Sequence, residues 1–251
     1  MGELINYPKN LRMKNKFFST IQNKFFYLAL VSVILFSACK KEDVPATPTA
    51  GLMALNMVPD TMSPVVFVLN NNSITNVPLD YSNFTGGYLP IYTGARTLEV
   101  YLNNSDSALA TESFTVEPNK YYSAFFMGAH GVYKNIIVND ELDSLPDSTG
   151  NAFVRYVNAI PDSSTQQFTV SANGTDDVSG TTHFGQISPF TQVAPGDFTI
   201  DITNDSTIAA NKTITFEKDK VYTILLSGMP HTTDTARTVK IKYIVNGTLS
   251  K

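Results

Sequence analysis

The chain has 251 residues, of which 18 are basic and 22 are acidic, so its net charge at neutral pH is −4. This length is sufficient for one large or two ordinary domains. The acidic balance argues against nucleic acid as a partner, because binding to a phosphate backbone requires a basic surface. The single cysteine excludes an internal disulfide and a zinc site built from several cysteines.

The first 38 residues have the three parts of a secretory signal peptide. A basic start precedes an apolar segment at 25–36, which is shorter than the roughly 20 residues that a membrane-spanning helix requires. We therefore predict a signal peptide over residues 1–38. The start codon is either Met1 or Met13, because the first residues push the basic region unusually far along the chain.

The signal ends in Phe-Ser-Ala-Cys at residues 36–39, which resembles the bacterial lipobox. In that motif, small residues precede a cysteine that receives a diacylglycerol before signal peptidase cuts. The resemblance implies that Cys39 is the lipid attachment site and the first residue of the mature chain. The alternative is an ordinary signal peptide or an anchoring helix in which Cys39 has no role.

A short tether follows the cysteine at residues 39–50. Its charged residues 40–43 resemble the signal that sends many lipoproteins of Bacteroidetes to the outer face of the outer membrane, and its prolines favour an extended spacer. We expect a surface-exposed, lipid-anchored outer-membrane protein that meets the membrane through its N-terminal lipid. Cleavage removes five basic residues and Glu3, which leaves 13 basic and 21 acidic residues and a net charge of about −8.

The remainder of the chain contains an internal repeat. Residues 113–122 match residues 213–222 at an offset of 100, and residues 58–60 match residues 160–162 at an offset of 102. Short alternating runs bounded by Gly, Pro, Asn and Asp predict about seven strands in each copy. We predict an all-β fold with two tandem immunoglobulin-like β-sandwich domains, at residues 51–139 and 151–251, joined by a linker at residues 140–150.

Two tyrosines occupy matching places in the copies. Tyr122 and Tyr222 each follow a charged turn at the start of a predicted strand. Sandwich domains often use the hydroxyl of such a tyrosine to tie down the crossing loop. The alternative is that both are half-buried strand residues without a special bond.

The second copy carries a run from Arg155 to Asp162, a Pro195-Gly196 turn before a strand, and a run from Lys220 that reaches Gly228. This pattern resembles the bacterial domain-of-unknown-function family 4397, which is found in exported and lipid-anchored proteins. The first copy matches more loosely, since it lacks the arginine. The resemblance implies no catalytic residues, because its motifs are structural glycines, prolines and tyrosines.

The sequence offers no evident catalytic set, and we expect a protein that is not an enzyme and binds no cofactor or metal. Of the three histidines, His183 stands alone, whereas His130 and His231 follow Gly128 and Gly228 in matching places. Such a match is consistent with a shared ligand or metal site, or with an inherited loop. Most carboxylates lie in turns, where Asp stabilises the backbone.

One distributed pattern predicts modification. Asp followed by Ser or Thr and then an apolar residue or Thr resembles the O-glycosylation signal of exported Bacteroidetes proteins, although a turn composition rich in Thr and Asp also generates such triplets. The candidate acceptors are Thr61, Ser107, Ser144, Ser148, Ser206 and Thr235.

Together these features predict a non-enzymatic cell-surface lipoprotein that serves as a binding, adhesion or envelope-structural module, with a glycan or a protein as its possible ligand. The alternative is an accessory glycan-binding lipoprotein of a polysaccharide-uptake system, in which exposed aromatic rings stack on sugars. The aromatic candidates for that role are Tyr88, Tyr92, Tyr101 and Tyr133.

Overall fold

The computed structural model describes residues 47–61, 63–146, 149–172, 175–204 and 207–249. The predicted signal peptide, Cys39 and most of the tether lie outside these residues. The chain from Thr47 onward forms one compact unit. In the described part, sixteen strands form four four-stranded sheets, and no helix there is long and apolar enough to cross a membrane.

The first domain consists of two packed sheets. Its strands are β1 (Thr49–Asn56), β2 (Val65–Leu69), β3 (Asn72–Ser73), β4 (Leu89–Tyr92), β5 (Gly94–Leu102), β6 (Ala108–Val116), β7 (Tyr121–Ala129) and β8 (Val132–Asn139). We call the sheet with the order β4-β1-β7-β8 the inner sheet and the sheet with the order β3-β2-β5-β6 the outer sheet. In the inner sheet β1 runs parallel to β7, whereas its other pairs are antiparallel.

The second domain repeats this topology after a short 3-10 helix at Leu142–Ser144. Its strands are β9 (Ala152–Asn158), β10 (Gln166–Ala172), β11 (Thr175–Thr182), β12 (Thr191–Val193), β13 (Gly196–Thr203), β14 (Ala209–Phe216), β15 (Lys220–Ser227) and β16 (Lys240–Thr248). Its inner sheet has the order β12-β9-β15-β16, and its outer sheet has the order β11-β10-β13-β14. The predicted class, an all-β fold with two tandem β-sandwich domains, is confirmed.

Each domain has eight strands in the described residues instead of about seven. The additional strands are β3, which has only two exposed polar residues, and β11, whose sequence is largely polar. Neither shows the alternation of apolar and polar residues by which a strand is recognised in a sequence, so both were missed.

Each sandwich has its own apolar core between its inner and outer sheets. On β13 the residues Phe198, Ile200 and Ile202 are buried while Thr199 is exposed, as the period of two predicts. Full burial of one such side chain stabilises the fold by about 1.5–3 kcal/mol. The alternation in the outer strands therefore defines the core face of each domain.

The central strands of the inner sheets behave differently, because they are buried on both faces. In β1, β9 and β15 nearly every residue is buried, which requires a second apolar layer. That layer is a third core between the domains. It contains Met53, Leu55, Met57, Phe125 and Met127 from the first domain with Val157, Ala159, Leu225 and Ile244 from the second. The two domains thus pack inner sheet against inner sheet.

Tyr122 and Tyr222 each hold the crossing loop of their domain in place by a hydrogen bond. The Tyr122 hydroxyl accepts a hydrogen bond of 3.0 Å from the Glu117 N–H, and the Tyr222 hydroxyl accepts one of the same length from the Glu217 N–H. Both rings are buried. Of the two interpretations of these residues, the loop tie is therefore correct in both domains.

Candidate binding groove between the two domains

A buried ion pair joins the two domains. Arg155 on β9 places its Nη1 2.7 Å from the Oδ1 of Asp140, the residue after β8, and neither side chain is more than 3% exposed. The Ser123 hydroxyl donates to Asp140 Oδ2 at 2.6 Å and accepts from Arg155 Nη2 at 3.2 Å. The Arg155 Nε donates to the Thr223 hydroxyl at 2.9 Å. These bonds replace the interactions with water that the two charged groups lose when they are buried.

The period of the β-strand explains how Arg155 reaches this position. Its neighbours Val154 and Tyr156 lie in the core of the second domain, so Arg155 faces the first domain instead. Its guanidinium carbon lies 4.5 Å from the ring centroid of Phe190 and 5.7 Å from that of Phe125. Arginine is suited to such a place, since its planar cation stacks on aromatic rings and donates several hydrogen bonds at once.

Tyr88 extends the network towards the surface. Its hydroxyl donates to Asp140 Oδ2 at 2.5 Å and accepts from Asn246 Nδ2 at 2.9 Å. Burial raises the pKa of Tyr88, and the negative charge of Asp140 raises it further, so the phenol keeps its proton and acts as a donor. Asn246 belongs to the second domain, where its Oδ1 accepts from the Thr223 hydroxyl at 2.6 Å.

A β-bulge sets the position of Asn246. Tyr222 pairs with Val245 and Val221 pairs with Gly247, so Asn246 is the additional residue on β16. Such an insertion turns a side chain out of the regular alternation. Here it directs the amide of a second-domain strand onto the hydroxyl of a first-domain tyrosine.

Two cavities lie beside this network, and both are lined by Tyr88 and Tyr121. The first has a volume of about 320 Å³ and is lined by both domains, with Tyr121 from the first and Thr248 from the second among its walls, and by Asp143 of the connecting 3-10 helix. The second has a volume of about 260 Å³ and is lined by the first domain alone, including Asn119. We call the two cavities together the interdomain groove.

The aromatic pair in the groove depends on a glycine. The Tyr88 and Tyr121 rings meet edge to face, with centroids 5.0 Å apart. A Cβ atom at Gly51 would lie only 2.7 Å from Tyr121 Cδ1 and 2.9 Å from Tyr88 Cβ. Because Gly51 has no side chain, both rings settle against β1, and Tyr121 remains 43% exposed towards the groove.

The rim of the groove carries one ion pair. The Lys120 Nζ lies 2.5 Å from Asp143 Oδ2, and this hydrogen bond raises the pKa of Lys120 and lowers the pKa of Asp143. Among the described residues that line the groove, Lys120 is the only basic one. The groove is thus neutral overall, with an aromatic floor.

The structure separates the four tyrosines proposed for sugar stacking. Tyr88 lines the groove, but Tyr92, at the end of β4, does not line either cavity and has 60% of its surface exposed. Tyr101 is half-buried on an outer sheet, and Tyr133 donates to Asp60 Oδ1 at 3.3 Å. Tyr121, which the sequence reasoning missed, is the exposed ring of the groove. Its only local signal is Gly51, a glycine within a strand.

The histidines do not form a common site in the described residues. His130 and His231 are exposed turn residues with φ angles of 55° and 60°, and the His130 N–H donates to Asp60 Oδ2 at 2.5 Å. His183 is exposed on another loop. Within the described ranges, no group of three or more His, Cys, Asp or Glu side chains is arranged to hold a metal ion.

The candidate acceptors for O-glycosylation differ in accessibility. Ser107, Ser144 and Thr235 are exposed, whereas the Thr61 hydroxyl oxygen is buried. Ser148 and Ser206, like the lipid site Cys39, lie outside the described residues. Modification of these residues stays a prediction, as does lipidation.

Comparison with known proteins gives a family. The family model described as a domain of unknown function (DUF4397) matches residues 50–165 and again residues 152–242. One similar solved structure is CBMbc, a family CBM26 module from Eubacterium rectale Amy13K in complex with maltoheptaose; it is 10% identical, the match covers 81% of this chain and 98% of that one, and the TM-score is 0.23. No curated protein matches the sequence.

Proposed function

The chain belongs to the DUF4397 family of domains of unknown function, and we propose that it is a non-enzymatic, lipid-anchored cell-surface protein whose two domains act together as one rigid binding or adhesion module. The observation that carries this proposal is the groove, whose larger cavity takes walls from both domains. A site shared in this way requires that the domains keep a fixed relation.

The contacts between the domains support such a fixed relation. Separating the inner sheets would expose the apolar side chains of the third core, including Phe125 and Met53, and apolar exposure costs about 25 cal/mol for each Å². It would also part Arg155 from Asp140 and leave two unpaired charges. A rigid module binds with little loss of conformational entropy, because its site is already formed.

The state of the acidic groups favours binding over catalysis. A general acid or base must exchange a proton with the substrate. In and beside the groove, Asp140 is held by Arg155, Ser123 and Tyr88, and Asp143 is held by Lys120. Both carboxylates are thus already paired with a cation.

The anchor is tested by replacing the lipid acceptor. We expect Cys39→Ser to move the protein from the membrane fraction to the soluble fraction, because the lipid would be its attachment. Proteinase K added to intact cells should degrade the wild-type protein, since we place it on the outer face. A Cys39→Ser protein that stays in the membrane fraction would contradict the proposed anchor, and protection of the wild type in intact cells would contradict its surface position.

A further inference from the structure

We propose that the interdomain groove binds a neutral carbohydrate chain, with the Tyr121 ring as the surface on which a sugar stacks. This inference rests on the proposed binding function and adds the class of ligand. A pyranose ring presents an apolar face of C–H groups with hydroxyls around its edge. A matching site therefore needs a fixed aromatic ring with uncharged hydrogen-bonding groups around it.

The Tyr121 ring is held in place before any ligand arrives. It packs against Gly51 on one side and meets the Tyr88 ring at 5.0 Å. Tyr88 is itself fixed by its bonds to Asp140 and Asn246. An exposed tyrosine that already packs against its neighbours gives a large contact area at a low cost in conformational entropy.

Residues with uncharged polar side chains line the same cavities as this ring. Thr49 and Asn119 line the smaller cavity, and Thr248 lines the larger one. None of the three makes a side-chain hydrogen bond to any residue in the described ranges. A hydroxyl or an amide both donates and accepts, which is what the hydroxyls of a sugar require.

The charges select a neutral ligand over an anionic one. Lys120 is already paired with Asp143, and the nearby Glu117 and Glu141 add negative charge. The mature chain is acidic as well, with a net charge of about −8 from the sequence. A polyanion would find no unpaired cation among the described lining residues of the groove, and the surrounding field would repel it.

The edge of the sheet argues against a peptide ligand. An extended peptide commonly binds by adding a strand to an open sheet edge. The edge strand beside the smaller cavity is β4, which has only four residues, and its second residue Pro90 has no N–H to offer. Tyr121 lines both cavities, of about 320 and 260 Å³, so a sugar stacked on its ring can continue into either one.

Calorimetric titration of the full-length protein would test this inference, in a detergent without a sugar head group. The probes are neutral oligosaccharides of glucose, mannose, xylose and galactose, with oligogalacturonate and a lysine-rich peptide as charged comparisons. We expect at least one neutral oligosaccharide to bind. Tyr121→Ala should weaken that binding by about tenfold or more, and Tyr121→Phe should retain it.

A matched control and a second variant distinguish a specific loss of binding from a loss caused by misfolding. Tyr92→Ala removes a tyrosine that is more exposed than Tyr121 and lies outside the groove, so it should leave binding unchanged. Thr248→Trp changes an exposed residue of the second domain and should obstruct the larger cavity.

The inference would be overturned if no neutral oligosaccharide bound, if only the charged probes bound, or if both Tyr121→Ala and Thr248→Trp bound as the wild type does. A failure of this inference can be told apart from a failure of the proposed lipid anchor, because the Cys39→Ser fractionation does not depend on a ligand.

Discussion

The two domains hold corresponding loops in the same way. In each, a tyrosine hydroxyl accepts a hydrogen bond from the backbone N–H five residues earlier, at 3.0 Å in both cases. In each, an asparagine at the end of the first strand accepts from the N–H two residues later, Asn56 from Val58 at 3.1 Å and Asn158 from Ile160 at 3.0 Å. These shared residues fix turns and loops.

The domains differ at the face through which they meet. Met53 pairs with Ser123 in the first domain, whereas Arg155 pairs with Thr223 at the equivalent place in the second. Two residues earlier on the same strands, Gly51 pairs with Tyr121 in the first domain, whereas Phe153 pairs with Val221 in the second.

The two domains therefore share the residues that hold their turns and loops, and they differ in the residues that form the interface and the groove. The following predictions test this division, from the largest expected effect to the smallest.

Arg155→Met gives the second domain the residue that the first domain has at this place. We expect a loss of about 3–5 kcal/mol in the free energy of unfolding, because Asp140 would remain buried without its cation. Urea unfolding followed by circular dichroism measures the loss. The double variant Asp140→Asn, Arg155→Met should recover a large part of it, since no isolated charge then remains. A loss below about 1 kcal/mol for the single variant would show that the pair does not hold the domains together.

Tyr88→Phe likewise makes the first domain resemble the second, which has Phe190 at the corresponding place before its edge strand. Removing the donor to a buried carboxylate should cost about 1.5–3 kcal/mol at neutral pH. Tyr92→Phe, at the end of the strand that Tyr88 precedes, changes an exposed tyrosine and is the matched control, which should cost nothing measurable.

The same variant has a pH signature. Burial raises the pKa of Tyr88 in the folded chain, while an unfolded tyrosine ionises near pH 10. The stabilisation from the retained proton is therefore complete below about pH 10 and is lost as the pH rises towards the folded value. The free energy of unfolding of the wild type should fall more steeply above pH 10 than that of Tyr88→Phe. Parallel curves would contradict the role of Tyr88 as a buried donor.

Tyr122→Phe and Tyr222→Phe test the shared part of the comparison. Each removes one acceptor of a loop N–H, so each should cost about 1 kcal/mol. The two losses should agree within about 0.5 kcal/mol, because the bonds have the same length and partners. Urea unfolding of the two single variants is sufficient to compare them. A loss in only one domain would mean that the tie is structural in that copy alone.

Strands that are buried on only one face could be predicted well from the sequence. The run Phe198, Ile200 and Ile202 alternates with polar residues because only one side meets the core. The packing of the domains on each other was not predicted. Strands such as β1 and β15, which are buried on both faces, read as continuous apolar runs whatever the second layer is.

The candidate site was predicted less well than the fold. Asp140 was assigned to a linker, and Arg155 was noted only as part of a family resemblance, because their pairing depends on how the two domains pack. Of the groove tyrosines, Tyr88 was named and Tyr121 was not. Exposure of a strand tyrosine depends on what covers it, and the sequence offers only Gly51, which lets the ring lie against β1.

The smallest effect concerns two corresponding lysines with different partners. Lys120 pairs with Asp143 after the first domain, whereas Lys220 pairs with Glu217 three residues earlier. Both pairs are solvent-exposed, so neither Lys120→Met nor Lys220→Met should change the urea midpoint measurably. The difference should appear in the pKa of Asp143, which Lys120 lowers.

Carbon-13 NMR of the aspartate carboxyls at falling pH would follow that titration. Lys120→Met should return the pKa of Asp143 towards its ordinary range, and Lys220→Met should leave it unchanged. The small stabilisation from this pair is present above the ordinary pKa of an aspartate and is lost as the pH falls through the lower folded value. An unchanged Asp143 titration in Lys120→Met would mean that the rim of the groove is not closed by this pair. The argument that the groove has no free cation would then fail, and only the surrounding negative charge would still argue against an anionic ligand.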